Sequence, residues 1–444
     1  MPHNTQSRSA ANVRSQMNLT SPIHRLPNEI IAHIFVVGCP TPNHDHDHDR
    51  VSVDVAPIQH QMLVGSICGL WREIAHDCPA LWTSVVVRYP KSENDVKSYE
   101  ETTCSSLRRS GTLGLDLAIM VDTVPGQEST YPYCDHVVPH LQRVHTLFLE
   151  CRVNRLPFSK MPQLVKLRHL YMRGSHTSLE TLIFPSCANS PLETFHFSSY
   201  EAPQFAFIPT SRLRDVRFSC CRVDEQIASF VNKCNNLRVL ALWGHDWASD
   251  VIISSVILTH LNLLTKVFPV VLLSNVPNLR HLRLVVIPRP LPRPSSWPPL
   301  PSLRSLSLLR TYSESQSIIP DILHVAPQLV ALQIGYAEAC EAVKSIRAHR
   351  EDGLDGGVRR KRLRLLLLMA DDDPESKIEP PHSRWGDLPT VAPILHNWDP
   401  NQLAGWRSVQ INNPIVIDGV EIRQSSYIAN PKISISDLAD QLTD

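Results

Sequence analysis

The densest run of side chains able to do chemistry is NHDHDHDR, in which His44, Asp45, His46, Asp47, His48 and Asp49 alternate. Imidazole and carboxylate are both metal ligands, so this run could hold a divalent ion. A flexible polar hexapeptide has no outer groups to fix its ligands, and the run reads instead as a solvated loop. The 11 cysteines are an odd number, scattered without CxxC pairs or metal-finger spacing, and read as reduced thiols of a cytoplasmic or nuclear protein. There is no GxSxG elbow, no HExxH pair and no lone cysteine with assigned partners. With 21 histidines, chance His/Asp neighbours are expected. Phosphate-cradling loops need glycine, yet 15 glycines stand against 36 prolines, and neither GxxxxGK[ST] nor GxGxxG occurs. The expectation is a non-catalytic protein with no cofactor and no metal.

Binding must then come from surfaces, and bulk charge does not choose the partner. Forty-three basic and forty-three acidic residues cancel, so no overall field favours nucleic acid or an anionic membrane. Residues 1–20 are polar, lack the apolar stretch of a secretory signal and read as a disordered tail. The apolar span beginning VIISSVILTHLNLL at residue 251 contains His260, Asn262, Lys266 and Pro269, each costly in a bilayer, and reads as buried structure outside a membrane.

Two amphipathic stretches lie near the N-terminus. In LPNEIIAHIF, Pro27 suits the first helical position, Glu29 complements the helix dipole, and Ile30, Ile31, Ile34 and Phe35 form an apolar stripe. In the second stretch, Leu63, Ile67, Leu70, Trp71 and Ile74 recur at the spacing of one helical face, and Pro79 ends that helix near Cys78. Trp82 lies beyond the proline, in a separate apolar lump returning to the same surface.

From residue 141 a second texture begins. The template apolar-x-x-apolar-x-apolar recurs as VHTLFL from Val144, LRHLYM from Leu167, LETFHF from Leu192, LRDVRF from Leu213, LRVLAL from Leu237, LTHLNL from Leu258, LRHLRL from Leu279, LRSLSL from Leu303 and LVALQI from Leu329. These steps, 21 to 26 residues long, fall in the leucine-rich-repeat range of about 20–29. Each unit supplies one short strand whose alternate residues point inward, and only stacking on its neighbours buries them. LETLIF from Leu179 breaks the period and is set aside. The Asn or Cys expected further along each unit is mostly missing, with Cys221 one of few matches, so the repeat is irregular. The segment IPRPLPRPSSWPPLP has PxxP spacing but reads as a connector between repeats. Arg359, Arg360, Lys361 and Arg362 could be a nuclear address or a solvated edge. LRLLLL from Leu363 is one more match, and Asp418-Gly419 between alternating apolar residues signals a hairpin that would cap the open end.

Taken together, LPNEIIAHIF, a spacer and SICGLWREIAHDCPALWTSVVV resemble the F-box, with its LPxEIxxxIF and VCxxWRxIAxxxPxLW segments, here in the arrangement with C-terminal leucine-rich repeats of fungal F-box-like proteins. The spacer is longer than in a minimal F-box, and Ser66-Ile67-Cys68 matches the Val-Cys pair only loosely. The resemblance implies an α+β chain: a small three-helix F-box followed by an irregular leucine-rich-repeat α/β solenoid. Its parts would be a tail at 1–20, an F-box at 21–88 with an inserted loop at about 39–56, a connecting segment and possible first strand at 89–140, the solenoid at 141–345, and degenerate repeats, loops and a cap at 346–444.

The implied function is that of a substrate-recognition subunit of a Skp-cullin-F-box ubiquitin ligase. Its partners would be a Skp-type adaptor, through it a cullin, and an unknown protein substrate, with no nucleic acid and no membrane. Carried over by position, the adaptor contacts are Leu26, Pro27, Ile30, Ile34, Phe35, Ile67, Cys68, Leu70 and Trp71, while Trp82 braces the helical unit against the first strand. The competing expectation is a leucine-rich-repeat scaffold or recognition protein with no ligase role. On the solenoid, the strand residues that alternate with the buried leucines form a row tilted toward His and Arg: His169, Tyr171, Arg173, His196, Arg217, Trp243, His281 and Arg283 lead it. That row predicts a substrate segment that is acidic or phosphorylated, with an aromatic or aliphatic anchor near Trp243.

Overall fold

The computed structural model describes residues 22–39, 56–89, 93–121, 134–151, 161–174, 183–199, 205–219, 221–244, 247, 252–265, 273–286, 297–309, 322, 324–335, 365–369, 415–417 and 420–425. The N-terminal tail, the His/Asp run at 44–49, most of the PxxP segment and the basic run at 359–362 lie outside them. The chain divides into two compact units, Met1–Arg212 and Leu213–Asp444. Helices and parallel strands are mixed in it, an α+β architecture.

The first unit opens with three helices: α1 (Asn28–Gly38), α2 (Ala56–Ile67) and α3 (Gly69–His76). Pro27 stands just before α1, where its carbonyl accepts from the Ile30 and Ile31 amides at 3.0 and 3.1 Å. The single helix expected through Leu63 to Ile74 is two helices. Cys68 is extended at the break (φ −156°, ψ 173°), and its Sγ accepts from the Trp71 amide at 3.5 Å, capping α3. Arg72 Nε reaches back across the break to the Gly65 carbonyl at 2.9 Å. A cap needs only one residue to leave helical geometry, so the apolar spacing runs on unbroken and conceals it. Ile31, Phe35, Val64, Ile74, Ala75, Leu81 and Trp82 form the core of these helices.

A 3-10 helix, Pro79–Trp82, leads into parallel strands β1 (Ser84–Tyr89), β2 (Leu115–Val121), β3 (Val144–Cys151), β4 (His169–Gly174) and β5 (Thr194–Ser198), paired in that order. Helix α4 (Glu93–Arg109) separates β1 from β2, so the stretch 89–140, expected as a connecting segment with a possible first strand, carries a helix and the second strand. In-register pairing aligns the template positions: Leu147 faces Leu170, which faces Phe195, and Leu149 faces Met172, which faces Phe197. All are buried, as are Leu167 and Leu192 at the first template position. The set-aside LETLIF has a different fate, since residues 183–187 are helical and bury Ile183 and Phe184.

Two strands escape the template for identifiable reasons. Trp82, just ahead of β1, takes the first template position, three residues before Val85 and five before Val87, both buried. Asp116 N bonds the carbonyl of Thr83, the residue after Trp82, at 3.0 Å, just as Thr194 N bonds that of Arg168, the residue after Leu167, at 3.0 Å. In β2, Leu115 pairs with Val144 but stands only two residues before Leu117, and a register shift between Leu115 and Asp116 absorbs the missing residue. Arg143 ties this region together: its guanidinium donates to the carbonyls of Leu113 (2.7 Å) and Leu107 (3.0 Å) and to Ser110 Oγ (2.8 Å).

The second unit carries β6 (Asp215–Ser219), β7 (Val239–Trp243), β8 (His260–Thr265), β9 (His281–Val286), β10 (Ser305–Leu309), β11 (Ala331–Gly335) and β12 (Leu365–Met369), each parallel to the next. Every one coincides with a repeat match. Val216, Leu240, Leu261, Leu282, Leu306 and Leu332 lie side by side in register and are buried. So are Leu213, Leu237, Leu258, Leu279, Leu303 and Leu329, the first template residues. Each fully buried leucine removes enough apolar area to stabilise by about 1.5–3 kcal/mol, so the ladder is the main cohesive element.

Between β6 and β7, helix α5 (Glu225–Asn232) is capped by Asp224, whose carboxylate accepts from the amides of Gln226 (3.0 Å) and Ile227 (3.2 Å). At the far end β14 (Val420–Ser425) pairs parallel with β12, and β13 (Ile415–Ile417) returns antiparallel to β14, which is the hairpin that Asp418-Gly419 signals.

Candidate functional site

Two surfaces gather the residues singled out by the sequence. The first is the outer side of α1 and α2. The stripe Ile30, Ile31, Ile34, Phe35 splits into two faces: Ile31 and Phe35 point into the core, while Ile30 and Ile34 point out, joined by Val37 one turn on. With Leu26, Met62, Leu63 and Ile67 these residues are between 38% and 69% exposed, and the seven make up half of the large exposed hydrophobics among the described residues. Scattered single leucines on a surface are ordinary, whereas six on two helices, with Leu26 just before the first, mark a contact region. Val37, Met62 and Leu63 are absent from the expected contact set. The signal for Val37 is its i+3 spacing from Ile34, and that for Leu63 is its place on the same helical face as Ile67, Leu70 and Trp71.

Other expected contacts lie deeper. Phe35 is 2% exposed and is a core residue. Trp71 is half-buried, with its ring centroid 4.8 Å from that of Phe35, and its indole Nε1 is enclosed without a hydrogen-bond partner among the described residues. Cys68 and Leu70 are half-buried and Pro27 is exposed. His60 Nε2 lies 2.9 Å from the Phe35 carbonyl, which fixes α2 against α1.

Trp82 is internal, as expected. Its Nε1 donates to the Ala75 carbonyl at 2.6 Å, and the Arg109 guanidinium carbon stands 4.6 Å from its ring centroid. Gln61 Nε2 donates to the carbonyls of Leu81 (2.8 Å) and Ser84 (3.2 Å), joining α2 to the start of β1. The helical unit is therefore pinned to the strand that follows it.

The second surface is the side of the strands away from the leucine ladder, and it differs along the chain. In the first unit Arg173 lies 3.8 Å from Glu150, His169 Nδ1 is 3.0 Å from Thr194 Oγ1, and Tyr171 meets His196 edge-on at 4.7 Å. Val86, Ala118, Met120, Phe148 and Tyr171 form an apolar cluster on this side. In the second unit Arg217 grips Asp215 of its own strand through two bonds of 3.0 and 2.8 Å. Trp243, the expected anchor, is only 9% exposed, and Leu264 beside it in register is half-buried. His281 is buried, and Arg283 half-buried.

Nothing in the described residues gathers three or more His, Cys, Asp or Glu that could hold a metal ion, and among them no helix is long and apolar enough to cross a membrane. The His/Asp run at 44–49 lies outside those residues. Burial pushes the Cys187 and Cys234 thiols up to about 12, and raises those of Cys39 and Cys104 less far, which marks all four as poor nucleophiles. No protein-family model matches the chain, and no curated protein matches it.

Proposed function

We propose that the chain is a substrate receptor of a Skp-cullin-F-box ubiquitin ligase, with α1 to α3 as the F-box and the strand ladder as an irregular leucine-rich-repeat region. The observation that carries this reading is the apolar outer face of α1 and α2. A helix that uses Ile31 and Phe35 for its own core and still presents Ile30, Ile34 and Val37 to water has a second partner to satisfy. An adaptor helix or groove covering that face would take each side chain from roughly half exposure to burial, on the order of 1 kcal/mol apiece. No single residue then dominates, so a decisive variant must change two.

The receptor acts by holding its substrate within reach of a conjugating enzyme, which raises effective concentration without chemistry in this chain. Trp82 and Gln61 suit that task, because they couple the docking helices to the first strand through buried bonds instead of a loose linker. The test is binding of a purified Skp-type adaptor to the full chain and to Ile30→Asp/Ile34→Asp. Both positions are exposed, so the fold tolerates them, and loss of binding is expected. Undiminished binding by the variant would overturn the reading. Trp71→Ala is the poorer probe, since the ring packs on Phe35 and its removal disturbs the core itself.

A further inference from the structure

Arg143 ends a 3-10 helix, Val138–Arg143, and stands directly before β3. Its guanidinium reaches three stretches of chain at once. Nη1 donates to the Leu113 carbonyl at 2.7 Å, while Nη2 faces the Leu107 carbonyl at 3.0 Å, Ser110 Oγ at 2.8 Å and His140 Nδ1 at 3.1 Å. Leu107 lies in the last turn of α4, Ser110 follows that helix, and Leu113 stands on the approach to β2. Gly114, the residue before β2, lies against the His145 ring of β3, which leaves no room for a side chain there. The turn from α4 into β2 is therefore latched by the segment that leads into β3.

A guanidinium can only donate, so the bond to His140 needs Nδ1 to accept. That fixes the ring as neutral, with its proton on Nε2. Protonating it would set an N–H against an N–H of like charge 3.1 Å away. Burial, then the Arg143 charge, accordingly lower the His140 pKa from its ordinary value. The Nη2 group shares two protons among three acceptors, so loss of the His140 bond by itself costs little. Repulsion is the larger effect, and it acts on the group that holds the turn. Arg143 Nε is enclosed without a partner among the described residues, so the latch depends on the terminal nitrogens. Two other histidines lie nearby. His136 Nε2 is 3.3 Å from Glu100 of α4, an exposed ion pair that forms only with a charged ring and so acts in the opposite direction. His76 meets the Trp82 ring edge-on at 6.2 Å, and its pKa is lowered by burial, then by Arg109 and Arg72, against Asp77.

We propose that His140 is a proton-sensitive switch on this latch: when its ring takes up a proton, the turn from α4 into β2 loosens. The effect reaches the junction between the helices and the strands. The last residue of α4 is Arg109, whose guanidinium carbon stands 4.6 Å from the Trp82 ring centroid, and the next residue is Ser110, an acceptor of Arg143. A latch that opens in acid thus relaxes the hold of α4 on the tryptophan that joins the helical core to β1. The opened chain binds the proton at the ordinary imidazole value of about 6.5, and the latched ring only at lower pH. The stabilisation is therefore complete above that value and is lost as pH falls through the lowered one. His140 is half-buried, so a proton reaches the ring without global unfolding. The switch is independent of any partner on the helices.

Hydrogen exchange on the full chain at about pH 7.5 and about pH 5, expressed as protection factors, reads the latch directly. The reporters are the amides of Ser110, Gly111 and Leu113, which bond the carbonyls of Ser106, Arg108 and Ser110 at 2.9, 3.2 and 3.2 Å. Their protection should fall by about threefold or more in acid. The amides of Val239 and His260 in the second unit, each bonded at 2.9 Å, should change by less than about twofold. His140→Asn offers an amide oxygen in place of Nδ1 and cannot titrate, so its reporters should hold within about twofold across the same range. His140→Gln is the second variant if His140→Asn fails to fold. An acid response of the same size in the wild type and a folded His140 variant, no acid response in the wild type, or an equal loss at Val239 and His260 would each overturn the proposal.

Discussion

The outer face of α1 and α2 and the outward rows of β8 to β11 are both surfaces that the fold does not need, and they are built from opposite materials. On the helices the excess is apolar: Ile30, Ile34, Val37, Met62 and Leu63 add nothing to a core already filled by Ile31, Phe35, Val64 and Ile74. On the strands the excess is polar: His260, Asn262, Arg283 and Gln333 sit on a leucine ladder that is fully buried without them. An apolar face binds by removing area from water, which is insensitive to salt and tolerant of the partner's details. A donor-rich face selects by charge and geometry. One chain thus carries a surface suited to a constant partner and another suited to a chosen one.

The strongest way to break the comparison is to put charge on the apolar face. Ile30→Asp/Ile34→Asp should weaken adaptor binding by at least about 100-fold, read by calorimetry, because two carboxylates would be buried without partners. Phe35→Ala separates the two faces of α1. It leaves a cavity in the helical core worth roughly 3–5 kcal/mol and should melt α1 to α3 in a circular-dichroism thermal scan, whereas Val37→Ala should shift stability by no more than about 0.5 kcal/mol.

Smaller effects sharpen the contrast. Raising salt from about 0.05 to 0.5 M shortens the screening length several-fold, and because the helical face is apolar, adaptor affinity should change by less than about twofold. Trp82→Phe keeps most of the ring but loses the bond to the Ala75 carbonyl, and should cost about 1–2 kcal/mol of stability in denaturant titration. Last, the raised Cys187 and Cys234 thiols remain protonated at pH 8 and should not react with a thiol reagent until the chain unfolds. Their early labelling in any variant reports loss of the ladder instead of loss of a surface.

The ladder was legible because a leucine repeated every 21 to 26 residues has one economical use, a strand buried against its neighbours. What lay hidden is local. Cys68 stops a helix without disturbing the apolar spacing across it, so two helices read as one. β2 is one residue short of the template, and the shortfall disappears into a bulge that no pattern of residue types records. Trp82 fills a leucine's place just ahead of β1, which the template would accept but which the end of the preceding apolar lump disguised. The exposed face of α1 was half legible: Ile30 and Ile34 were found, but with Ile31 and Phe35 in one stripe, because a four-residue apolar cluster on a helix does not say which half is buried. The charge pairing was not legible at all. Arg173 and Arg217 look alike in sequence, and only the register that brings Glu150 beside the first and the side chain of Asp215 folding onto the second show how each is paired.

The central claim is that the apolar face of α1 and α2 is the docking surface, and hydrogen exchange on the full chain with and without a Skp-type adaptor tests it most directly. Added adaptor should slow exchange across residues 28–38 and 59–67 while leaving the amides of β8 to β11 unchanged. Slowed exchange confined to the strands, or none in the two helices at saturating adaptor, would contradict the account.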